Sequence, residues 1–434
     1  MKINLINLPS EETSILPPLD LAYIGALLKG HELKLVDFNF DEEVEDADLN
    51  IVGTTSVDYY NNPPLNLDHI FSYLDKIDGK KIIFGPHVTS TPKIFQKYGL
   101  LVIGEPEITI KESIDRIEKN ENLYTVKGLY GNEKRGLIKD LDKLPFPNRS
   151  LINNKNYYNP LAKKKPYTML ISSRGCPFKC IYCYNEVFGH MWRARSAKNV
   201  IEEFREIKEK YKIPEVWIRD DLFSMDKERA IEICDGIKNI EISWSCQFRV
   251  DTSDRELLEK MYESGCHMVS LGIESGNREI LRNLKKGITI EKVKEVVKDC
   301  KDVGITTRGY FIIGSPGETE ETIKESFEVA KSLDLDYFLV SIMTPYVGTE
   351  LYELGKKQGL IESDSWEESL KNAGKIETDF TWKELVDIKR ELYKKYYLRG
   401  GYLGKRLFKF KILKNGFYPF LRQMKRKDFR GVKK

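Results

Sequence analysis

Short apolar runs alternate with amphipathic segments along the first 130 residues of the chain. The apolar runs predict buried strands, whereas the segments between them repeat apolar positions with the spacing of a helix. The predicted strands cover residues 3–8, 33–38, 49–54, 81–84 and 100–103, and the predicted helices cover 19–28, 67–77 and 108–117. Apolar strands joined by helices are typical of a parallel sheet covered on both faces. Residues 1–130 are therefore predicted to form a doubly wound, Rossmann-like α/β domain.

Turn and breaker residues interrupt this alternation over residues 131–167, which are predicted to form a linker. The alternation then resumes, with predicted strands at 169–173, 216–219, 242–248, 268–273, 306–313 and 337–343, and predicted helices at 199–211, 255–264, 290–303 and 319–332. These strand-then-helix units predict a partial (β/α)6 barrel of the TIM type over residues 168–350, whose catalytic groups would lie at the C-terminal ends of the strands. Residues 351–434 are predicted to form a helical, basic C-terminal extension.

Composition excludes several classes of protein. The chain has 434 residues, of which 41% are hydrophobic and 32% charged, as expected for a folded protein of two or three domains. Its longest apolar stretches span about seven residues, whereas a membrane-spanning helix needs roughly 20. The N-terminus has no basic region followed by an apolar core, so no secretory signal is predicted and a cytoplasmic location is expected.

Positive charge is concentrated at the C-terminus. Residues 392–434 contain fifteen Lys or Arg and one acidic residue, a net charge of +14, so the rest of the chain carries −11 of the overall +3. The interleaved basic and aromatic residues fit a helix that packs its Leu and Phe on the barrel and leaves its Lys in water, which we favour. Contact with an anionic membrane surface is the alternative hypothesis, and nucleic acid is not an expected partner.

Three of the seven cysteines, Cys176, Cys180 and Cys183, lie within eight residues directly after the first predicted barrel strand. Three thiolates in a CxxxCxxC spacing can bind three corners of an iron-sulfur cubane and leave the fourth iron open to a ligand. Structural zinc and inert electron transfer are the alternatives, but structural zinc normally requires four closed protein ligands, and no further Cys or His pair lies nearby. The remaining cysteines fall in apolar or amphipathic segments and are predicted to be buried, inert thiols.

The segment Arg174-Gly175-Cys176-Pro177-Phe178-Lys179-Cys180-Ile181-Tyr182-Cys183 resembles the signature of the radical S-adenosylmethionine superfamily, in which an aromatic residue precedes the third cysteine. Segments 17–27, 84–89 and 104–107 resemble the branch of that superfamily with an N-terminal cobalamin-binding-type domain. Downstream segments 219–223, 272–276, 314–319 and 345–349 match the same branch in the same order. The resemblance extends over both predicted domains.

This resemblance implies a 4Fe-4S cluster held by the three cysteines, with S-adenosylmethionine chelated at the open iron. One electron, from a donor such as a flavodoxin or ferredoxin, would then cleave the carbon-sulfur bond and yield a 5′-deoxyadenosyl radical. The residues expected to bind S-adenosylmethionine are Tyr182 at the adenine, Asp220 and Asp221 at the ammonium, Glu274 and Ser275 at the ribose, and Arg249 or Arg308 at the carboxylate. The alternative for the paired aspartates is helix capping.

Cobalamin is the second implied cofactor. The Asp-x-His-x-x-Gly loop that ligates cobalt in other cobalamin domains is missing after the first predicted strand, so cobalamin would bind without a lower protein ligand. The residues predicted to cradle it are Thr54, Ser56, Gly85, His87, Gly104 and Glu105. For His87 the alternative is a hydrogen bond to the backbone, and for the whole domain the alternative is a lid that no longer binds cobalamin.

The leading functional hypothesis is a cobalamin-dependent radical methyltransferase that acts on an unactivated carbon of a small metabolite, lipid or peptide. Without cobalamin, the same chemistry would drive a rearrangement, a cyclisation or a dehydrogenation. A hypothesis from another class is a non-catalytic iron-sulfur protein that binds a membrane or nucleic acid through its basic C-terminus. Formation of 5′-deoxyadenosine would distinguish an enzyme from such a binding protein.

Overall fold

The computed structural model of the protein describes residues 1–9, 15–40, 43–57, 60, 63–157 and 159–406. Most of the predicted basic tail, residues 407–434, therefore lies outside the described residues. Within the described chain, two parallel sheets and a set of C-terminal helices follow one another along the sequence. The predicted α/β fold class is confirmed.

The N-terminal sheet has five parallel strands in the order β2-β1-β3-β4-β5, so its strand order reverses beside β1. The strands are β1 Lys2–Asn7, β2 Glu32–Asp37, β3 Leu49–Gly53, β4 Lys81–Phe84 and β5 Leu100–Leu101. The helices are α1 Leu19–Leu27, α2 Leu67–Leu74, α3 Pro86–Ser90 and α4 Pro106–Glu118. One apolar core lies under α1 and α4 and another under α2, as a doubly wound sheet requires. Helix α3 was not predicted, because its first residue Pro86 follows a glycine and resembles a turn.

The second sheet has six parallel strands in the order β13-β12-β11-β10-β9-β6, with β6 and β13 at its two edges. Its strands are β6 Tyr167–Leu170, β9 Glu215–Ile218, β10 Ser243–Phe248, β11 Cys266–Glu274, β12 Thr306–Ile313 and β13 Tyr337–Ile342. The helices that follow them are α5 Ala197–Glu209, α6 Lys227–Ile237, α7 Arg255–Glu263, α8 Arg278–Asn283, α9 Ile290–Val303 and α10 Glu320–Leu333. The predicted partial six-stranded barrel is confirmed.

A small antiparallel hairpin, β7 Ser173–Arg174 with β8 Arg193–Ala194, stands beside the barrel and brackets the cysteine-bearing loop. The sequence predicted one continuous strand over residues 169–173, but β6 ends at Leu170. The physical reason is a side chain: the Ser172 backbone N–H donates to the Asp220 carboxylate at 2.6 Å. The chain therefore leaves the barrel ladder at this point and turns toward the hairpin.

The predicted linker contacts both the N-terminal domain and the barrel. The Asn148 backbone N–H donates to the Ala22 carbonyl oxygen of α1 at 2.9 Å. The next residue, Arg149, is buried, donates to the Met169 carbonyl oxygen at 2.7 Å and forms an ion pair with the buried Glu203. Residues 148 and 149 thus tie the N-terminal sheet's helix α1 to the first strand of the barrel.

The C-terminal helices are α11 Glu350–Lys357, α12 Trp366–Lys371, α13 Trp382–Tyr397 and α14 Gly400–Arg406. Helix α13 covers the exposed edge of β13 with tyrosine hydroxyls. The Tyr397 hydroxyl accepts from the Phe338 N–H at 2.9 Å and donates to the Phe338 carbonyl at 2.8 Å, and the Tyr393 hydroxyl accepts from the Val340 N–H at 2.9 Å. An open strand edge is thereby satisfied within the chain. Over its described part, the extension packs on the barrel through tyrosines; the predicted packing of Leu and Phe in residues 407–434 lies outside the described residues.

Among the described residues, no helix combines the length and the apolar character needed to cross a membrane.

Candidate active site at the barrel mouth

The three cysteines lie on the loop between β7 and β8. Gly175, which opens the loop, has a left-handed φ of 81°, and a Cβ there would lie 2.3 Å from the Met191 carbonyl oxygen. Only glycine permits this close approach of the two ends of the loop. The Gly175 N–H donates to the Asp221 carboxylate at 2.9 Å, so Asp221 fixes the start of the cysteine segment from the end of β9.

All three cysteine thiols are partly buried. Burial raises the pKa of the Cys176 thiol to about 11, and Asp221 and Cys180 add to that rise. Burial and the neighbouring thiols also raise the pKa of Cys183 strongly, while the Lys286 ammonium opposes the change. Thiols in this setting become thiolates only when a positively charged group binds them.

In the part of the chain that the structure describes, no three His, Cys, Asp or Glu side chains are placed to hold one metal ion together. A zinc ion would need its sulfur ligands about 2.3 Å from one centre. The cysteines of a cubane each bind a different iron and therefore stand further apart. The CxxxCxxC spacing keeps the iron-sulfur cluster as the prediction for this triplet.

Arg249, which follows β10, lies against the cysteine loop. Its guanidinium is stacked over the Phe178 ring, with Cζ 3.6 Å from the ring centroid, and Nη1 lies 3.9 Å from Cys180 Sγ. Nη2 donates to the Lys286 carbonyl oxygen at 2.6 Å and pairs with Asp251 at 2.9 Å. Because Nε and Nη2 both donate to Asp251, Nη1 is the group that can bind a further carboxylate beside the cysteines.

Glu274 ends β11 in an unusual conformation. Its φ of 65° is left-handed, and the register between β11 and β12 shifts at this point. A non-glycine residue in this region is strained, and such strain concentrates at functional sites. The buried Glu274 carboxylate pairs with Lys286 Nζ at 2.8 Å. The same carboxylate, together with burial, raises the pKa of the Tyr182 hydroxyl well above its usual value. The structure therefore brings Tyr182, Glu274 and Lys286 together.

Lys286 was missed in the sequence. It lies in the turn after α8, in the segment Lys285-Lys286-Gly287, which contains no feature that separates it from a solvated turn. Its backbone carbonyl holds Arg249, and its ammonium holds Glu274. Only the fold reveals that this lysine is buried.

Two of the predicted ligands of S-adenosylmethionine are used within the chain. The fully buried Asp220 carboxylate accepts from the Ser172 N–H at 2.6 Å, from the Ser172 hydroxyl, and from the Ser173 hydroxyl at 2.7 Å. The buried Ser275 hydroxyl lies 2.9 Å from Ser326 Oγ and accepts from the Asn277 N–H at 3.1 Å. Asp220 thus fixes the start of the cysteine segment, and Ser275 fixes the turn after β11.

Arg308, the second candidate for the carboxylate, lies elsewhere. It is on β12, and its guanidinium Cζ lies 4.7 Å from the Tyr310 ring centroid and 5.7 Å from the Trp217 ring centroid, inside the barrel. The two candidate arginines are therefore separated: Arg249 belongs to the cysteine loop and Arg308 to the barrel interior.

At the N-terminal sheet, a narrow cleft opens at the carboxyl ends of β1, β2 and β3. Its lining is mostly apolar and also includes Asn7, Asn39, Thr54 and Ser56. The Ser56 hydroxyl is buried and has no hydrogen-bond partner among the described residues. The cleft lies where ligands of doubly wound sheets bind.

His87 is fully engaged within the chain. Its Nδ1 lies 3.0 Å from Thr54 Oγ1, its Nε2 lies 2.7 Å from the Pro64 carbonyl oxygen, and its ring centroid is 4.9 Å from that of Trp366. Burial lowers the pKa of His87 to about 4, so the ring is neutral at pH 7. The alternative of a backbone hydrogen bond is the one found. Gly85 allows this packing, since a Cβ there would lie 2.4 Å from Thr54 Oγ1.

Of the two further residues predicted to face cobalamin, Gly104 bonds within the N-terminal domain, whereas Glu105 joins a buried contact between the two sheets. The Gly104 N–H donates to Thr89 Oγ1 at 3.1 Å. The Glu105 carboxylate accepts from Arg174 at 2.9 Å and from Arg193 at 2.8 Å, and Glu107 pairs with Arg174 as well. All of these charged side chains are buried. Because Arg174 lies two residues before Cys176, the network fixes the cysteine loop to the N-terminal domain.

This fold and site resemble those of known proteins. The model of the radical SAM superfamily matches residues 170–330. The uncharacterized methyltransferase PH0819 of Pyrococcus horikoshii is 33% identical, over 94% of this chain and 95% of the relative, and the cytidylyl-2-hydroxyethylphosphonate methyltransferase of Streptomyces wedmorensis is 26% identical, over 80% and 79%. Among solved structures, the radical S-adenosylmethionine methyltransferase TsrM from Kitasatospora setae, with cobalamin and a 4Fe-4S cluster bound, gives a TM-score of 0.67 at 18% identity, over 84% of this chain and 76% of that one. At that identity, the structural likeness shows a shared fold.

Proposed function

Because the chain belongs to the radical S-adenosylmethionine superfamily, in the branch with an N-terminal cobalamin-binding-type domain, we propose that it is a cobalamin-dependent methyltransferase that methylates an unactivated carbon of a small molecule. Its family is the one that the cysteine motif and its companion segments predicted. Two relatives that cover most of the chain are named methyltransferases, which supports the proposed reaction.

One observation carries the proposal: the cysteine-bearing loop docks directly on the N-terminal domain. The Tyr184 hydroxyl, next to Cys183, donates to the Pro86 carbonyl oxygen of α3 at 2.9 Å and lies 2.7 Å from Ser90 Oγ. The cysteines and the carboxyl edge of the N-terminal sheet are thereby held against each other. A methyl donor bound at that edge would face a substrate in the barrel.

Each cofactor has candidate residues. Cys176, Cys180 and Cys183 would hold a 4Fe-4S cluster by three of its irons. When bound, the cluster supplies the electron that cleaves S-adenosylmethionine, and cobalamin supplies the methyl group. Ser56, whose hydroxyl has no partner among the described residues, would hydrogen-bond the rim of cobalamin, with Thr54 beside it.

The chain's own side chains would bind and orient S-adenosylmethionine. Arg249 would hold its carboxylate, since the guanidinium already lies beside the Cys180 thiol. Asp221, which is partly exposed, would accept from its ammonium in addition to the Gly175 N–H, whereas Asp220 is fully buried and already accepts from the serines of the β6–β7 junction. Tyr182 and Glu274, which lie together, are the candidates for the adenine and the ribose.

The barrel and the docked N-terminal domain would also exclude water from the reacting groups. The interdomain contacts formed by Glu105 and Glu107 with Arg174 are buried. Such closure protects reactive species from side reactions with solvent. This role needs only a rigid enclosure and no proton transfer from these residues.

The partners follow from the reaction. We propose an electron donor of the flavodoxin or ferredoxin class, because cleavage of S-adenosylmethionine consumes one electron. Peripheral contact of residues 392–434 with an anionic membrane stays a hypothesis, and sedimentation with anionic vesicles at low and raised salt tests it. Binding that weakens with salt would support it, and the lack of any binding would refute it.

The proposed function is tested with anaerobically purified protein, reconstituted with iron and sulfide and supplied with cobalamin and S-adenosylmethionine. We expect corrin absorbance that remains with the protein after desalting, and 5′-deoxyadenosine after reduction. If 5′-deoxyadenosine forms without any bound corrin, the methyltransferase proposal fails in favour of a cobalamin-independent radical reaction. If neither appears, the protein is not an enzyme of this type.

A further inference from the structure

Four neighbouring strands place polar and aromatic residues at one level inside the barrel. Gln247 of β10 pairs in register with Ser270 of β11, Ser270 pairs with Arg308 of β12, and Arg308 pairs with Tyr337 of β13. Residues paired in parallel strands point to the same face of a sheet. The flanking Val269 of β11 packs in the outer apolar core, so Ser270 and its partners face the barrel interior.

Two residues on the β9 side extend this layer: Arg219, which follows β9, and Trp217, which is in register with Ser245, two residues before Gln247. Arg219, directly after β9, donates from Nη1 to the Gln247 side-chain oxygen at 3.1 Å, and its Cζ lies 4.3 Å from the Trp217 ring centroid. Arg308 approaches the same indole at 5.7 Å, although β9 and β12 are separated in the sheet by two other strands. The contact therefore crosses the barrel, and two guanidinium groups converge on one indole.

Two hydrogen-bond donors in this layer lack a partner. The Trp217 side chain is 7% exposed and Ser270 is 1% exposed. Among the described residues, neither the Trp217 Nε1–H nor the Ser270 hydroxyl has a hydrogen-bond partner. Buried donors are normally paired, because leaving them unpaired costs free energy. Both donors therefore indicate an acceptor that comes from outside the chain.

The electrostatics of the layer also favour an acceptor from outside the chain, one with negative charge. Burial lowers the pKa of Arg219 to about 10, even though Asp221 and Asp220 attract the charged form. The attraction of the nearby carboxylates is thus weaker than the loss of hydration that burial imposes on this guanidinium. An added negative group at this level would stabilise the charge.

We propose that Arg219, Trp217, Ser270 and Arg308 form the substrate pocket, and that the pocket recognises an oxyanion, a phosphate or a carboxylate, carried by the substrate. The inference rests on the proposed function, since it assumes that a substrate enters the barrel. Guanidinium groups match the paired oxygens of both anions, and the indole N–H and the serine hydroxyl supply further donors. A cationic substrate is disfavoured by the two arginines.

The depth of the pocket suits this role. Gln247 lies two residues before Arg249, and Ser270 lies four residues before Glu274, so the layer is roughly 7 to 13 Å below the groups at the barrel mouth at the usual rise of a strand. An anion anchored there would leave the rest of a small substrate pointing toward the cysteine loop. Arg308, which the sequence suggested for S-adenosylmethionine, would then position the substrate.

The pocket is tested on the reconstituted holoenzyme with inorganic phosphate and with acetate as separate probes, against chloride at matched ionic strength. Binding is followed by tryptophan fluorescence and by the shift of the melting temperature. We expect a saturable response to at least one probe, and the stronger probe identifies the anion class. In Arg308→Met the affinity should fall by about ten-fold or more, with partial recovery in Arg308→Lys. Trp217→Phe should remove most of the fluorescence response.

A milder variant serves as a control in case Arg308→Met fails to fold. Ser270→Ala removes only one hydroxyl and should weaken the binding of the same probe by a few-fold. The inference is overturned if neither probe exceeds the chloride response, or if Arg308→Met and Ser270→Ala both bind the probe like the wild type. Corrin absorbance and 5′-deoxyadenosine are measured on the same wild-type sample. Their presence without anion binding refutes the pocket alone, and their absence with anion binding refutes the proposed function alone.

Discussion

The barrel mouth and the carboxyl edge of the N-terminal sheet are held against each other, yet they differ in charge. Arg249, Lys286, Glu274 and Asp221 surround the cysteine loop at the barrel mouth. Uncharged groups line the edge of the N-terminal sheet: the Thr54 and Ser56 hydroxyls, two asparagines and the neutral ring of His87. Of the acids near that edge, Glu105 is drawn into buried ion pairs with Arg174 and Arg193 of the barrel side, whereas Asp37 accepts from Asn7 and Tyr157, and Asp20 accepts from Tyr60.

This difference matches what each side has to bind. An iron-sulfur cluster and the ammonium and carboxylate of S-adenosylmethionine need opposite charges close by. A large cofactor recognised by shape needs a smooth cleft with a few hydroxyls, and unpaired buried charges there would cost free energy. The sheet edge therefore uses its charges to hold the two domains together rather than to bind a ligand.

Loss of a cysteine should give the largest effect. We expect Cys176→Ala to lose the cluster and to reduce 5′-deoxyadenosine formation by more than about 100-fold, because even residues that only support metal ligands typically contribute 10–100-fold. Iron and sulfide content and product yield measure this. Cys300→Ala, at a buried thiol of α9, is the matched control and should keep its cluster. Equal iron content in both variants would contradict the assignment of the triplet.

Loss of a buried interdomain ion pair should give the next largest effect. Glu107→Gln leaves the buried Arg174 with Glu105 as its remaining partner, so the free energy of unfolding should fall by about 3 kcal/mol. Urea unfolding measures the change. Glu133→Gln breaks an exposed pair with Lys127 and should cost less than about 1 kcal/mol. If the two variants lost similar stability, the buried network would not hold the domains as described.

A pH experiment isolates a buried acid below the N-terminal edge. The Asp20 carboxyl accepts from the Leu21 N–H at 2.9 Å and from the Tyr60 hydroxyl at 3.1 Å, and burial raises its pKa to about 7. The folded protein keeps a proton that the unfolded chain releases near pH 4. Its stabilising contribution is therefore complete below pH 4 and is lost as the pH rises through 7.

Between pH 6 and pH 8 this loss should amount to about 1 kcal/mol. Asp20→Asn should abolish it and leave a flatter dependence of the unfolding free energy on pH over that interval. Urea unfolding at both pH values tests this. An equal pH dependence in the variant and the wild type would show that Asp20 is already charged in the folded state over this interval.

The smallest effect is expected in the cleft itself. Ser56→Ala removes a hydroxyl that is proposed to bind the cofactor rim, so the affinity for cobalamin should fall by about two- to ten-fold, the value of one hydrogen bond. Retention of corrin absorbance during dialysis gives the measurement. Ser332→Ala on α10 serves as the control, since its hydroxyl bonds only to the Val329 carbonyl of its own helix. If Ser332→Ala lost more cobalamin affinity than Ser56→Ala, the cleft would be excluded as the cobalamin site.

The fold was predictable wherever local pattern and packing agree. Helix α9 and strand β12 were predicted with their observed bounds, because each has clear periodicity between turn signals. The cysteine triplet could be identified as a candidate metal centre from its CxxxCxxC spacing alone. Contacts between side chains far apart in the sequence were not predictable. Asp220 accepts from the Ser172 N–H, 48 residues away in sequence, and so ends β6, and Glu105 pairs with Arg174, 69 residues away. Lys286 was missed for the same reason, since only tertiary packing buries it.

The central claim is that Cys176, Cys180 and Cys183 hold a cubane whose fourth iron is open to S-adenosylmethionine. The most direct measurement is the electron paramagnetic resonance spectrum of the reduced, reconstituted protein before and after S-adenosylmethionine is added. We predict a 4Fe-4S signal that changes when S-adenosylmethionine binds. A cluster signal that stays the same at saturating S-adenosylmethionine, or a triplet that carries zinc in place of iron, would contradict the claim.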